Sequence, residues 1–396
     1  MSDDVHPLGR GWARTWRVAL ALTIALTALG LASCGGDDDG DTEGGEATEV
    51  ADLPPDELAA EAQDEMMSLG GPVEWKGAES SPPPAEDVTA AVMPCSLQLE
   101  VCRFIADSFE EGADAIGWNS EVIDGQSDPE TEQRAVDAAL NQGINCLVTF
   151  AAAARDITPQ LDRAESMNVP VVEAFAGDEG DIIIGLNYEN AGAALAAYVI
   201  EQGGGENLVT NIPQLPELTR RTNGFVDYIE ANGDENTRVV GEEEFTIADI
   251  GPGQEAKMRA MLDQNPDAEW LYAPFDGAGY ALLDTARQEG RGNMKGVSFD
   301  GDPPAYADIR NGPNQGRGQV ATISWGLDWV AWSAIDECNR ALQDEETEVN
   351  EDHPIELTTE ENVPSADVDV YEPSFDFKSK FRELWGVDGE TGDGQQ

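Results

Sequence analysis

Two histidines, His6 and His353, are all that the 396 residues supply. A multi-histidine metal site is therefore ruled out, and His353 is the single candidate for imidazole base chemistry outside the N-terminal segment. No H-E-x-x-H, Walker-type or G-x-S-x-G motif occurs, so nothing organises the many carboxylates into a hydrolytic site. Asn232, Asp234, Asn236 and Glu243 fall at the ligand positions of a calcium-binding loop, but Thr237 stands where that loop requires glycine. The adjoining "GEEEF" reads as a solvated acidic face. Gly203, Gly204 and Gly205 follow a helical pattern and precede an apolar run. A phosphate cradle needs the opposite order, so these glycines read as a helix stop. Neither a metal nor a cofactor is implied, and no catalytic residue is assigned.

The charge excludes further classes. With 79 acidic against 22 basic residues, the formal charge is −57, which repels nucleic acid and anionic headgroups and suits solubility in high salt. Arg10, Arg14 and Arg17 precede an apolar stretch from Val18 to Ala32. That stretch is shorter than the ~20 residues of a spanning helix and has the charged, apolar, small-residue order of an export signal. Leu31-Ala32-Ser33-Cys34 resembles the lipobox of bacterial lipoproteins, and the resemblance implies removal of residues 1–33 and acylation of Cys34. An ordinary secretory signal is the alternative reading. Residues 34–87, acidic and then rich in Pro, Gly and Ser, read as a tether, and 389–396 as a disordered tail.

Export implies an oxidising compartment. Cys95, Cys102, Cys146 and Cys338 allow three full pairings. Cys95 and Cys102, close together at a loop entering a helix, are expected to bridge. Cys146, in the strand-like "INCLVTF", and Cys338, in the helical "WVAWSAIDECNRAL", are expected to be buried free thiols.

The elements that must position any site follow from hydrophobic pattern. Apolar runs at "VTAAVMP", "SEVID", "NCLVTF", "PVVEAF", "DIIIGL", "NLVTNI", "RVVGEEEF", "EWLYAP", "KGVSFD" and "QVATIS" read as strands. Most are separated by stretches of helical period such as "DPETEQRAVDAALNQG", where Asp128 caps, Pro129 takes the first position and Gly143 ends the helix. Near-continuous apolar strands alternating with helices predict an α/β protein with parallel sheets covered on both faces. About ten strands over roughly 300 residues exceed one compact unit, so two doubly wound lobes with a ligand cleft between them are expected.

Particular segments carry a resemblance. "SDPETEQRAVDAALNQGINCLVTFAAAA", "RAESMNVPVVEAF", "RRTNGFVDYI", "APFDGAGYALLDTARQEG" and "GVSFDGDPPAYADIRNG" resemble, in order, stretches of the type 1 periplasmic binding proteins, the ribose-binding-like group. The resemblance covers about residues 88–385. It implies two lobes, 88–187 plus 325–357 and 188–324 plus 358–388, with crossings near Asn187, Trp325 and Leu357 to Asn362. It also implies a monomer on the extracytoplasmic face, held to the membrane only by its lipid. Such a protein closes over a small sugar-like molecule and delivers it to an ABC permease, without catalysis. A lipoprotein presenting its closed form to a membrane receptor is the alternative.

The same resemblance assigns ligand contacts. Arg221 matches the arginine of the group's E-R-x-x-G-F pattern, Asp276 the aspartate of N-D-x-x-A, and Phe299 and Asp300 the G-F-D-G loop. This sequence departs from the group at Phe150 and Phe175, where Asn and Asp are common, at Phe275 in the asparagine position, and at Trp325 in place of glutamine. Asn187 and Tyr188 follow the strand entering the second lobe, and Ser96 and Gln98 belong to the first-lobe loop "PCSLQLEVC". Aromatic rings facing the cleft would make it more apolar than a ribose site.

Overall fold

The computed structural model describes residues 75–387 except 76, 153, 176–181, 314, 348–352, 367–370, 372 and 374. Cys34, the apolar run before it and the 389–396 tail lie outside the described residues. The first sheet contains β1 (Thr89–Pro94), β2 (Asn119–Val122), β3 (Cys146–Phe150), β4 (Val171–Ala174) and β5 (Ile183–Ile184), in the order β2-β1-β3-β4-β5 and parallel throughout. Helices α1 (Glu100–Ile116), α2 (Pro129–Gln142) and α3 (Thr158–Ser166) connect these strands. Side chains alternate across a strand: Ala90 and Val92 of β1 join one apolar core while Ala91 and Met93 join another. Burial on both faces is why the strands are continuously apolar. Asp128 caps α2 by accepting from the Thr131 amide at 2.9 Å, and Gly143, at φ 88°, ends it.

After α4 (Tyr188–Glu201) the second sheet collects β6 (Glu206–Asn211), β7 (Arg238–Glu244), β8 (Trp270–Tyr272), β9 (Lys295–Asp300), β10 (Gln319–Trp325) and β11 (Ile355–Thr358). The order is β11-β10-β9-β8-β6-β7, parallel except for β11 against β10. Helices α5 (Pro216–Asn232), α6 (Pro252–Gln264), α7 (Asp276–Gln288) and α8 (Pro303–Asn311) connect the strands. The acidic run after Arg238 forms the exposed edge strand β7, where charge opposes pairing with another chain. Asp234 accepts from the Asn236 and Thr237 amides at 2.9 and 2.7 Å, so the calcium-like run closes an Asx turn. Among the described residues no cluster of acidic, histidine or cysteine side chains could hold a metal ion.

The C-terminal part departs from the expected division. Residues 355–357, expected on the first lobe, form β11 in the second sheet together with Thr358, and Ser324 Oγ lies 2.7 Å from Thr358 Oγ1. This crossing therefore precedes β11. Helix α10 (Phe377–Trp385), expected on the second lobe, packs on the first, against α1 and α9 (Leu327–Ala341). The reason is its apolar face. Phe377, Phe381 and Trp385 are buried, Trp385 stacks on Trp332 at 5.6 Å, and its Nε1 donates to Asp336 Oδ1 at 2.8 Å.

The expected tether is also shorter at its folded end. Trp75 stacks on Trp329 with ring centroids 5.4 Å apart, edged by Phe375 and Phe381. Asn339 accepts from the Ala85 amide at 2.9 Å and donates to the Pro82 carbonyl at 2.8 Å, while Gln343 donates to that of Pro83 at 2.8 Å. Residues 80–85 thus form a strap along α9. Its proline carbonyls have no strand to join and find side-chain donors instead.

Cys95 is bonded to Cys102, holding the turn into α1. Cys146 and Cys338 are bonded to each other with Cα atoms 6.0 Å apart, which corrects the expectation of free thiols. Packing of α9 on β3 brings together residues 192 apart in sequence, a proximity that local pattern cannot reveal. Closing so long a loop by a bond contributes about 2–5 kcal/mol. In a soluble form beginning after Cys34, thiol titration in denaturant without reductant should find no free thiol. Reduction should lower Tm by several degrees.

Candidate functional site

The cleft opens where both sheets present the carboxyl ends of their strands, the binding position of doubly wound sheets. The first lobe contributes Cys95 after β1, Phe150 and Ala151 at the end of β3, Phe175 after β4, Ser127 before α2, and Leu99, Val101 and Ile105 around the start of α1. From the second come Ile212 after β6, Leu215, Glu217, Leu218 and Arg221 at the start of α5, Ile247 and Ile250 after β7, and Phe275 after β8. Asp300 and Trp325, at the ends of β9 and β10, complete that side, and Leu327, the first residue of α9, lines the cleft where the chain has crossed back to the first lobe. Ala151, Phe175 and Asp300 have φ of 48°, 55° and 105°. Such backbone is costly for side chains other than glycine, and here it turns strand-end residues toward the cleft.

Arg221 is the centre of the polar part. Its side chain is 2% exposed, and Nη1 donates to the Pro274 carbonyl at 3.2 Å and to Asp300 Oδ1 at 3.4 Å. Nε finds no hydrogen-bond partner among the described residues. The guanidinium carbon lies 4.7 Å from the Phe299 ring centroid, 5.6 Å from that of Tyr188, 5.9 Å from that of Phe175 and 6.0 Å from that of Trp325. Ring quadrupoles replace part of the lost hydration. Asp300 also accepts from Trp325 Nε1 at 3.4 Å. Burial raises its pKa, and Arg221 opposes that rise.

One turn before Arg221, Glu217 is buried, and burial lifts its pKa to about 7 against opposing pulls from its own backbone N–H and from Arg221.

Helix α5 reaches this depth because of two glycines. A Cβ on Gly192 would lie 2.0 Å from the Arg221 carbonyl oxygen, and one on Gly224 would lie 2.0 Å from that of Glu189. Helices α4 and α5 therefore cross backbone to backbone, which only residues without a Cβ permit.

Of the residues singled out in the sequence, Arg221, Asp300, Phe275, Trp325, Phe150 and Phe175 line the cleft. The others serve elsewhere. Phe299 is fully buried beneath Arg221, edge-on to Tyr272. Tyr188 is buried behind Phe175, and Asn187 caps α4 by accepting from the Asn190 amide at 2.9 Å. Ser96 accepts from the Gln98 amide at 3.3 Å, and the exposed Gln98 offers its carbonyl to Arg103. Asp276 is buried away from the cleft. It accepts from the Gly301 and Asp302 amides at 2.9 Å each, from Gln319 at 2.6 Å, from Thr322 at 2.9 Å and from Ser298. Those bonds hold the corner that follows Asp300. Sequence reading missed Glu217 and the apolar residues Leu215, Leu218, Ile247 and Ile250. Glu217 had one available signal, its position one turn before Arg221 on the same helix face.

At the rim, Arg155 of the first lobe donates to the Gln214 carbonyl of the second at 3.0 Å, and Gln214 Oε1 accepts from the Ile247 amide at 2.7 Å. Beside them lies a polar mouth lined in part by Glu132, Asp156 and Ser127.

The position of Glu217 sets a sign for pH. Its folded pKa of about 7 exceeds the ordinary 4.5, so the folded state binds more protons between these values. Its burial therefore costs least at low pH and progressively more as pH rises through 7. Glu217→Gln should gain stability over the parent by about 3 kcal/mol between pH 5 and pH 8. Urea melts at both pH values measure the difference, and a pH-independent difference contradicts the assignment.

Comparison with known proteins places this geometry. The sequence profile described as "Periplasmic binding protein domain" matches residues 90–346. The ribose import binding protein RbsB of Escherichia coli K12 is 20% identical over 281 residues, covering 68% of this chain and 89% of that protein. RbsB of Bacillus subtilis 168 is 21% identical over 257 residues, covering 63% and 80%. Among solved structures, GanP, a glucose-galactose binding protein from Geobacillus stearothermophilus, aligns with a TM-score of 0.63 at 16% identity, over 71% of this chain and 100% of that one. An ABC transporter solute binding protein from Mycobacterium smegmatis with bound glycerol aligns at 0.64 and 19%, over 72% and 100%. At these identities the structures share the fold. With two parallel-sheet lobes, a cleft at their strand ends and a profile match over most of the described residues, the chain belongs to the type 1 periplasmic binding protein family.

Proposed function

We propose that this chain is an extracytoplasmic solute-binding protein of an ABC import system. It captures one sugar or sugar derivative by closure of its lobes and presents the closed form to a permease as a monomer. The observation that carries this reading is the buried Arg221–Asp300 pair at the bottom of an inter-lobe cleft. A fixed donor beside a carboxylate acceptor meets the two needs of a hydroxyl group. Similar proteins support it: the curated relatives are ribose import binding proteins, and a similar structure from Actinobacillus succinogenes has bound D-allose. These relatives are binding proteins and not enzymes, so no turnover is assigned.

The order of basic residues, apolar run and Leu31-Ala32-Ser33-Cys34 supports a lipid anchor at Cys34. A leash from Cys34 to the strap on α9 would keep the cleft near the membrane while it samples solute. Since the strap and α10 both fasten to the first lobe, that lobe is the tethered one and the second is the lobe that swings.

Thermal-shift measurements on a soluble form beginning after Cys34, against sugars and sugar derivatives in high salt, test the binding reading. A ligand at 100 times its Kd stabilises by about 2.7 kcal/mol. Arg221→Met and Asp300→Asn should each abolish the shift, while Arg220→Ala, which removes a surface pair with Glu189, should leave it. A panel that produces no shift, or a shift surviving both cleft variants, rejects the assignment. For the anchor, Cys34→Ser should release the full chain from the membrane fraction. Continued membrane association in that variant would argue for another mode of attachment.

A further inference from the structure

The distribution of polarity in the cleft goes further than the family's fold and concerns the ligand itself. Of the side chains lining the chamber, Ser127, Glu217, Arg221 and Asp300 are the polar ones apart from the bridged Cys95 and the indole N–H of Trp325. Arg221 and Asp300 are paired, with Glu217 one turn away, all on the second lobe. The facing wall is built from Leu99, Val101, Ile105, Phe150 and Phe175. A pentose or hexose carries hydroxyls around its ring, and each is a donor with two acceptor lone pairs. Against this wall, where Ser127 is the polar side chain beside the bridged Cys95, the remaining hydroxyls would lose water and gain no partner, at a cost of about tenfold or more in affinity for each one stranded. Phe150, Phe175 and Trp325, which stand where the resemblance implies Asn, Asp and Gln, offer no bidentate group to serve them.

Charge narrows the class again. One guanidinium is balanced by Asp300, and Glu217 adds negative charge as pH rises through 7. The whole chain carries −57. An anionic ligand is repelled at both levels.

Building on the solute-binding reading above, we infer that the chamber takes a non-anionic, amphipathic carbohydrate derivative: an alkyl- or aryl-substituted or deoxygenated sugar. Its hydroxylated end meets Arg221 and Asp300, and its apolar part lies against the first-lobe wall. The Arg221 Nε, without a partner among the described residues, donates to an acceptor on the polar end. Phe150, Phe175 and Trp325 provide ring faces for the apolar body, which prefers them to water.

Titration calorimetry on the soluble form decides this, using matched pairs: glucose with phenyl β-glucoside, and galactose with 6-deoxygalactose. The substituted or deoxygenated member of at least one pair should bind ten or more times tighter than its parent. Leu99→Ser and Val101→Ser, at half-buried wall positions, should shrink that ratio several-fold while the far-UV circular dichroism of the empty protein stays that of the parent. Equal or tighter binding of both parent sugars overturns the inference and leaves the solute-binding reading standing. A ratio unmoved by both wall variants also overturns it, because the apolar part then lies elsewhere. No binding by either pair overturns it as well. If a non-carbohydrate amphiphile such as a nucleoside then binds, the sugar assignment falls while the binding fold keeps its role.

Discussion

Arg221 keeps a permanent charge on a side chain that is 2% exposed. A guanidinium removed that far from water is tolerated only where other groups replace its hydration. The replacements come from separate parts of the chain: the Pro274 carbonyl after β8, Asp300 at the end of β9, and aromatic rings after β4, at the start of α4, in β9 and at the end of β10. Each is useful only at its observed position, so the ends of both sheets have to be in register around one cation. The close crossing of α4 and α5 at Gly192 and Gly224 sets the depth of that cation. Asp276, through the amides of Gly301 and Asp302, holds the corner that gives Asp300 its unusual φ.

Incomplete satisfaction at this centre is the link from stability to function. Arg221 Nε has no partner among the described residues, and burial lifts the Glu217 carboxyl to about 7, well above its ordinary value. The first makes the empty cleft less favourable than one whose occupant accepts from Arg221. A solute-binding protein needs such a difference, because closure must depend on what the cleft contains. The first lobe supports this from outside: the strap, α9 and α10 form a continuous aromatic layer from Trp75 through Trp329 and Trp332 to Trp385. The second lobe carries no counterpart among the described residues, and that asymmetry suits one fastened lobe and one that moves.

Much of this is legible in the sequence alone. Every run read as a strand lies on one: the inner strands, buried on both faces, are uninterrupted apolar stretches, while the edge strands β2 and β7 are partly exposed and carry polar residues among the apolar ones. Strand β11 was not legible. Its four residues alternate apolar and polar, and a stretch that short resembles a loop until its partner β10 is known. The destination of α10 was hidden for a related reason. Its periodicity shows that Phe377, Phe381 and Trp385 need burial, but nothing in it says which lobe provides the site.

Sequence by itself therefore determined the classes of element, the two-lobed family, the acidic character of the chain and the residue types available to a cleft, since each follows from local composition and order. Tertiary structure alone decided which of those residues meet. Asp276 and Asp300 both follow short apolar strands and look equivalent in the chain. Five donors converge on the first and bury it as a brace, while a φ of 105° turns the second into the cleft beside Arg221. Cys146 and Cys338 likewise meet only because α9 lies across β3. Contacts between distant segments depend on packing, and packing is a property of the whole chain.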